Sequence, residues 1–124
     1  MNFLMIFIHQ GLCNMWKEYL KDLDFPKHWV SSCYPNDALP SYTTDKNLLR
    51  AYHVWIDSAD IEERKRNSLD IYGLENKLAP RFHVVLHYGA SENLFTSDDF
   101  NEVVGWVKNN PKTREQLLET YDWL

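Results

Sequence analysis

The segment 81–88 constrains the fold more than any other part of the chain, because its apolar residues recur at every second position. Phe82, Val84, Leu86 and Tyr88 share one face of an extended strand, since successive side chains of a strand point to opposite sides. A strand is stable only as part of a sheet. The pattern therefore predicts a strand over 81–88 and requires further strands that pair with it.

Two other segments are candidates for those partners. The run 3–8 is short, continuous and apolar, which is typical of a strand buried on both faces. The second candidate, 51–57, is ambiguous. Alternation places every second residue from Tyr52 on one face of a strand, whereas Thr44 would cap a helix through the same residues. We favour a strand over 51–57, because the strand predicted over 81–88 needs partners.

Four segments combine apolar residues at helical spacing with residues that cap helix N-termini. The predicted helices are 15–23 capped by Asn14, 59–72 capped by Asp57 or Ser58, 97–109 in a capping box that begins at Thr96, and 113–122 in a box formed by Thr113 and Gln116. Gly73 is expected to end the second helix, since glycine accepts the left-handed conformation. The apolar stripe expected to face the core in the last helix is Leu117, Leu118, Tyr121 and Leu124.

These elements predict an α+β fold with a small sheet and about four helices. The 124 residues have the length of a single domain, 1–124, of which residues 1–14 are a candidate N-terminal extension. The stretch 31–47 is rich in turn-forming residues and is predicted to be a long surface loop. A short strand is predicted where that loop begins, over 29–34.

The N-terminal run and the cysteines predict a location in the cytoplasm. Six apolar residues are far fewer than the roughly 20 that a membrane-spanning helix needs, and no basic residue precedes them as in an export signal. Cys13 and Cys33 form no Cys-x-x-Cys motif or disulfide framework. We expect two partly buried thiols in a reducing compartment and no membrane contact.

The charge is acidic and unevenly distributed. The formal net charge is −5, which disfavours nucleic acid as a partner because phosphate binding depends on Lys and Arg. Residues 90–124 hold 7 acidic and 3 basic side chains, against 11 and 10 in residues 1–89. Part of this excess lies in a predicted first helical turn, where the helix dipole favours anions. Glu119 and Asp122 lie at the opposite end of a helix, beside Tyr121 and Trp123.

An acidic surface with exposed aromatic side chains suits a basic protein partner, because aromatic residues anchor interfaces and opposite charges speed encounter. The sequence therefore favours a small acidic protein-binding module, of the kind of an immunity protein or antitoxin that masks a basic, nuclease-like toxin. The alternative for the aromatic residues is packing on the core. The candidate partner-binding residues are Asp98, Asp99, Glu102, Glu115, Glu119, Tyr121, Asp122 and Trp123.

The alternative function is a small hydrolase or nuclease that uses His53, His83 or His87 as general acid and base. His83 and His87 are four residues apart on a predicted strand, about 13 Å, which is too far to hold one metal ion. We expect this pair on the less buried face of the sheet. No motif indicates a metal or cofactor, and the basic run 64–66 is predicted to be a solvated, salt-bridged helix face.

Overall fold

The structure is a computed structural model that describes residues 14–34, 36–88 and 92–123. Within these residues it contains a five-stranded antiparallel sheet and four α-helices, which confirms the α+β class. After a 3₁₀ turn at Asn14–Trp16, the helices are α1 (Lys17–Leu20), α2 (Ile61–Tyr72), α3 (Phe100–Asn109) and α4 (Arg114–Trp123). The strands are β1 (Val30–Ser31), β2 (Ser41–Thr43), β3 (His53–Ile56), β4 (Phe82–Val85) and β5 (Asn93–Ser97). The strand predicted at 3–8 lies outside the described residues.

The sheet is a meander in which the strand order equals the chain order, β1-β2-β3-β4-β5. Strands β3 and β4 form its centre and pair Val54 with Val84 and Ile56 with Phe82. They are the strands predicted at 51–57 and 81–88, with shorter bounds. The helix alternative for the first of them is wrong, because the side-chain oxygen of Thr44 accepts the backbone N–H of Tyr52 instead of capping a helix.

Strand β2 lies within the stretch predicted to be a surface loop, so that prediction is wrong for this part. Its hydroxyl residues are typical of turns, but here they hydrogen-bond to neighbouring backbone. The hydroxyl of Ser41 donates to the carbonyl of Ser32 at 3.2 Å, and that of Thr43 donates to the carbonyl of Val30 at 3.3 Å. These bonds let polar side chains lie against the sheet with their donors satisfied.

Strand β5 was not predicted, and it overturns the capping box expected at Thr96. Thr96 and Ser97 belong to the strand and pair with His83 and Phe82. Helix α3 therefore begins later than predicted, and its N-cap is Asp99. The run of hydroxyl and acidic residues at 96–99 has the composition of a capping box, which is why the pattern favoured a helix start over a strand.

Helix α1 is shorter than the predicted 15–23 at both ends, and α2 is shorter than predicted at its N-terminal end. Asn14 lies in the 3₁₀ turn and does not cap α1, whose N-cap position is Trp16 without a side-chain cap. Helix α2 is capped by Asp60, whose carboxylate accepts the backbone N–H of Glu63 at 2.9 Å. Gly73 ends α2 in the left-handed conformation (φ 64°), as predicted.

One face of the sheet packs against α3 and forms the apolar core. Val54, Ile56, Phe82 and Val84 are fully buried there, together with Val103 of α3. Burial of a side chain of this size contributes roughly 1.5–3 kcal/mol. This face therefore supplies much of the free energy that holds the helix on the sheet.

The opposite face of β3 and β4 is covered by α2 and is polar. His53, Asp57, Arg81 and His83 are all buried on it. The sequence placed His83 on a less buried face, which is wrong because α2 covers this side: the ring of Tyr72 stacks on the His83 imidazole. Buried polar groups need hydrogen-bond partners, so this face depends on its polar contacts.

Arg81 supplies most of those contacts and ties α1 to the sheet. Its two terminal nitrogens donate to both carboxylate oxygens of Asp22, each at 2.7 Å, and one of them also donates to the carbonyl of Tyr19. Its Nε donates to the carbonyl of Asp57 at 3.0 Å. The hydrogen bond from Arg81 lowers the pKa of Asp22.

Cys33 lies between β1 and β2, is fully buried and is disulfide-bonded. The expectation of a thiol at this position is therefore wrong. The other cysteine of the chain, Cys13, lies outside the described residues. Sequence spacing gave no sign of the bond, because two cysteines form no recognisable framework.

Candidate functional site

Asp98, at the end of β5, is a candidate partner-binding residue that the fold itself uses. Its Oδ1 accepts hydrogen bonds from the guanidinium of Arg64 at 3.0 Å and from the backbone N–H of Arg81 at 2.9 Å. The Arg64 side chain is 7% exposed, so this carboxylate balances a buried positive charge. Asp98 thus has a structural role.

Asp99 and Glu102, at the start of α3, are also used by the fold. The Asp99 carboxylate accepts the backbone N–H of Asn101 at 2.9 Å and caps the helix. Glu102 accepts a hydrogen bond from the hydroxyl of Ser97 at 3.0 Å. Both acids also lie where the helix dipole favours negative charge.

The acidic residues of α4 differ from these in having no such role. Glu115, Glu119 and Asp122 are exposed. Among the described residues, none of the three carboxylates takes part in an ion pair or a side-chain hydrogen bond. Glu119 and Asp122 also lie toward the C-terminal end of the helix, where a negative charge is unfavourable by about 0.3–1 kcal/mol.

Two large apolar side chains accompany these acids. Leu118 is 58% exposed and Tyr121 is 69% exposed. The stripe predicted to face the core is therefore wrong at both positions, while Leu117 is half-buried. Leu124 and the side chain of Trp123 lie outside what the structure describes. We call Glu115, Leu118, Glu119, Tyr121 and Asp122 the α4 face, since spacings of three and four residues place them along one side of the helix.

The N-terminal end of α4 is held by hydrogen bonds, although one side of the helix is exposed to solvent. Thr113 and Gln116 form the predicted capping box, in which each side chain accepts the backbone N–H of the other residue. Lys112 donates to the hydroxyl of Thr120 at 2.7 Å and lies over the ring of Tyr52. Burial lowers the pKa of Lys112 to about 8. The helix is thus anchored at one end and on one side.

His53, the first of the three candidate catalytic histidines, is closed off from solvent. It is 1% exposed, and its ring contacts those of Trp55 and Tyr88. Burial, with a smaller effect from His87, lowers the pKa of His53 to about 3. Neither ring nitrogen has a hydrogen-bond partner among the described residues. A neutral imidazole without solvent access is poorly placed to exchange a proton with a substrate.

His83 and His87 each use a ring nitrogen on backbone. Nε2 of His83 lies 2.9 Å from the carbonyl oxygen of Pro80 and donates to it, which leaves Nδ1 as the acceptor in the neutral ring. Nδ1 of His87 lies 3.2 Å from the carbonyl oxygen of Tyr88. One ring nitrogen of His83 and one of His87 thus lie at a backbone carbonyl, whereas His53 is enclosed by the fold.

The three residues of the basic run 64–66 differ in their exposure to solvent. Lys65 pairs with Glu62 at 3.5 Å on the exposed side of α2, as predicted for a salt-bridged helix face. Arg64 is buried, which the prediction of a solvated run missed. Arg66 is exposed. A single exposed ion pair of this kind contributes little to stability.

Neither a metal-ligand cluster nor a membrane-spanning helix occurs among the described residues. No group of three or more His, Cys, Asp or Glu side chains comes together as a metal site would require. None of the described helices is both long and apolar enough to cross a bilayer. Comparison of the chain with protein-family models, curated proteins and solved structures gave no match.

Proposed function

We propose that this chain is a small acidic protein-binding module, an inhibitor of the immunity or antitoxin kind, and that its basic partner docks on the α4 face. The observation that carries the proposal is the pairing of exposed Leu118 and Tyr121 with three carboxylates that the fold leaves unused. In such an inhibitor the carboxylates bind where a nuclease-like toxin would bind the phosphates of its nucleic-acid substrate.

The chemistry of the α4 face supports a protein partner. A tyrosine side chain buries a large area with few rotatable bonds, which is why such residues anchor interfaces. The carboxylates form a row at positions 115, 119 and 122, beside the apolar pair. Their negative charge attracts a basic surface over a distance and raises the rate of encounter.

The location of the protein is part of the proposal. The sequence pattern alone favours the cytoplasm. The disulfide at Cys33 opposes it, because disulfides persist mainly in oxidising compartments. We therefore place the inhibitor in such a compartment, where it would meet a toxin outside the reducing cytosol.

The site is tested by two charge-reversal variants of equal net charge. The first replaces Glu115, Glu119 and Asp122 with lysine. The control replaces three exposed acids elsewhere that form no ion pair in the structure. These are Asp24, Asp70 and Glu75. Both proteins and the wild type serve as baits in extracts of the native host, and captured proteins are identified by mass spectrometry.

We expect the wild type and the control to capture the same basic protein and the α4 variant to lose it. With that protein purified, the α4 variant should associate more slowly and with a weaker dependence on salt. Tyr121→Ala should weaken binding by at least about tenfold, mainly through faster dissociation. Capture by the α4 variant but not the control would move the interface elsewhere. Absence of any basic protein would contradict the proposed class.

A further inference from the structure

The polar face of the sheet bears a cleft that the proposed protein interface does not use. The cleft lies between strands β3 to β5, the last turn of α2 and the loop before β2, and has a volume of about 330 Å³. Trp55, Tyr72 and His83 form aromatic walls of the cleft. Its other lining residues include Leu39, Val85 and Asn93. This volume lies within the range of small-molecule sites in proteins.

The walls of the cleft favour a flat ligand. The rings of Tyr72 and His83 stack with centroids 5.2 Å apart and planes inclined by 16°. The Trp55 side chain lines the same cleft and is paired across the sheet with His83. Aromatic side chains in this arrangement offer flat, polarised faces on which a planar ring stacks.

Three hydrogen-bonding groups at the cleft are unused in the described structure. Nε2 of His83 is taken up by the carbonyl of Pro80, and Nδ1 forms no hydrogen bond among the described residues. The hydroxyl of Tyr72 and the carboxamide of Asn93 form no hydrogen bond among the described residues. A carboxamide carries a donor beside an acceptor, which matches the adjacent donor and acceptor on the edge of an adenine ring.

A β-bulge places Asn93 at the cleft. In the pairing of β4 with β5, Val84 is opposite Phe95 and Val85 is opposite Asn93, so Leu94 is the additional residue. Bulges redirect a side chain and are frequent beside functional sites. Here the bulge brings an exposed carboxamide next to the aromatic walls.

The buried polar atoms next to the cleft are consistent with a functional face. His53 shares the face, with its ring centroid 4.7 Å from that of Trp55, and neither of its nitrogens has a hydrogen-bond partner in the described part of the chain. The same holds for one buried carboxylate oxygen of Asp57, on the same strand face. Each such group is unfavourable by about 1–3 kcal/mol, and a fold selected for stability alone would replace them.

We propose that this cleft binds an uncharged planar heterocycle that carries a hydrogen-bond donor next to an acceptor, the chemistry of a purine base or nucleoside. The ring stacks on the walls formed by Trp55, Tyr72 and His83, and its edge hydrogen-bonds to Asn93. A phosphorylated form is disfavoured, because none of the described residues that line the cleft is a lysine or arginine.

The test is a titration of the isotope-labelled full chain with adenosine up to millimolar concentration, followed by two-dimensional NMR. We expect shifts of the Trp55 indole N–H and of the backbone amides of Val85 and Asn93, and weaker binding of adenosine monophosphate. The absence of these shifts in a folded sample, or shifts reproduced by ribose alone, would overturn the proposal. No protein partner is present, so failure here leaves the α4 face untouched.

Two variants assign the contact. Asn93 is exposed, so Asn93→Ala should leave the fold intact and weaken adenosine binding by about tenfold, the equivalent of one lost hydrogen bond. Asn101→Ala removes an exposed carboxamide on α3 and is the matched control, with binding unchanged. Equal affinity of the two variants would refute the role of Asn93.

Discussion

The two faces of strands β3 and β4 are both largely buried but differ in chemistry. On the α3 side, Val54, Ile56, Phe82 and Val84 are fully buried and need no partners. On the α2 side, the residues at the alternate positions include His53, Asp57, Arg81 and His83, which are also nearly inaccessible. The first set stabilises the fold by leaving water, whereas the second set requires hydrogen bonds to break even.

The difference indicates that the apolar face supplies most of the folding free energy, whereas the polar face has groups that stability alone does not require. On the polar face the guanidinium of Arg81 is hydrogen-bonded to Asp22, whereas neither nitrogen of His53 has a partner within the described residues. The proposed cleft lies on this second face. Substitutions at Phe82, Asp98 and His53 should separate the energetic roles of the two faces, with effects on stability that decrease in that order.

Phe82→Ala removes a fully buried ring from the apolar face and should have the largest effect on stability. We expect the free energy of unfolding to fall by about 3–5 kcal/mol, since both burial and packing are lost. Urea denaturation followed by far-ultraviolet circular dichroism measures the change. A loss below that of the polar-face variant described next would reverse the proposed division between the faces.

Asp98→Ala tests the polar face, because it leaves the guanidinium of Arg64 buried without its ion-pair partner. Asp98 itself is two-thirds exposed, so water replaces part of the interaction. We expect a loss of about 2–3 kcal/mol in the same denaturation experiment. Glu119→Ala, at an acid that the fold does not use, is the control and should change stability by less than about 0.5 kcal/mol.

His53 should make stability depend on pH. Its pKa is lowered from 6.5 to about 3 by burial, so between these values the unfolded chain binds a proton that the folded chain does not. Stability is therefore complete above pH 6.5 and decreases as the pH falls toward 3, by about 1.4 kcal/mol per pH unit at most. Denaturation curves of wild type and His53→Phe at several pH values should show a smaller slope in the variant. Equal slopes would mean that His53 is protonated in the folded state.

How far the sequence predicted this structure depended on whether one pattern determined each element. The alternation around Val54 and Val84 predicted the central strands and their apolar face, because period two has one geometric meaning in a sheet. The same alternation implied an accessible second face, which is wrong for His83. A strand pattern records polarity and carries no information about a helix, here α2, that covers the polar side.

Short polar strands were outside the reach of pattern reasoning. Ser41 and Thr43 resemble turn residues until their hydroxyls are seen to bond to the neighbouring backbone. In β5, Leu94 and Phe95 are adjacent, and a bulge interrupts the alternation that would have indicated a strand. Both strands are determined by their partners in the sheet more than by their own composition.

The candidate binding residues were predictable in part. Composition and position located the acidic excess near the C-terminus, but not which acids the fold uses. Only the contacts distinguish Asp98, which faces Arg64, from Glu119, which faces solvent. Leu118 was assigned to the core because helical spacing identifies an apolar stripe without showing whether another surface covers it.

The contacts of Arg81 have a consequence for where this domain can be cut. The guanidinium of Arg81 hydrogen-bonds to Tyr19 and Asp22, which are distant in sequence. The smallest unit that folds with this guanidinium paired therefore includes the short helix α1. A protein that starts at Met15 would retain both contacts. One that starts at Phe25 would leave a buried positive charge without its carboxylate, and we expect it to be insoluble or readily degraded. Any expression boundary must therefore precede Tyr19, and one that keeps both cysteines of the chain must precede Cys13.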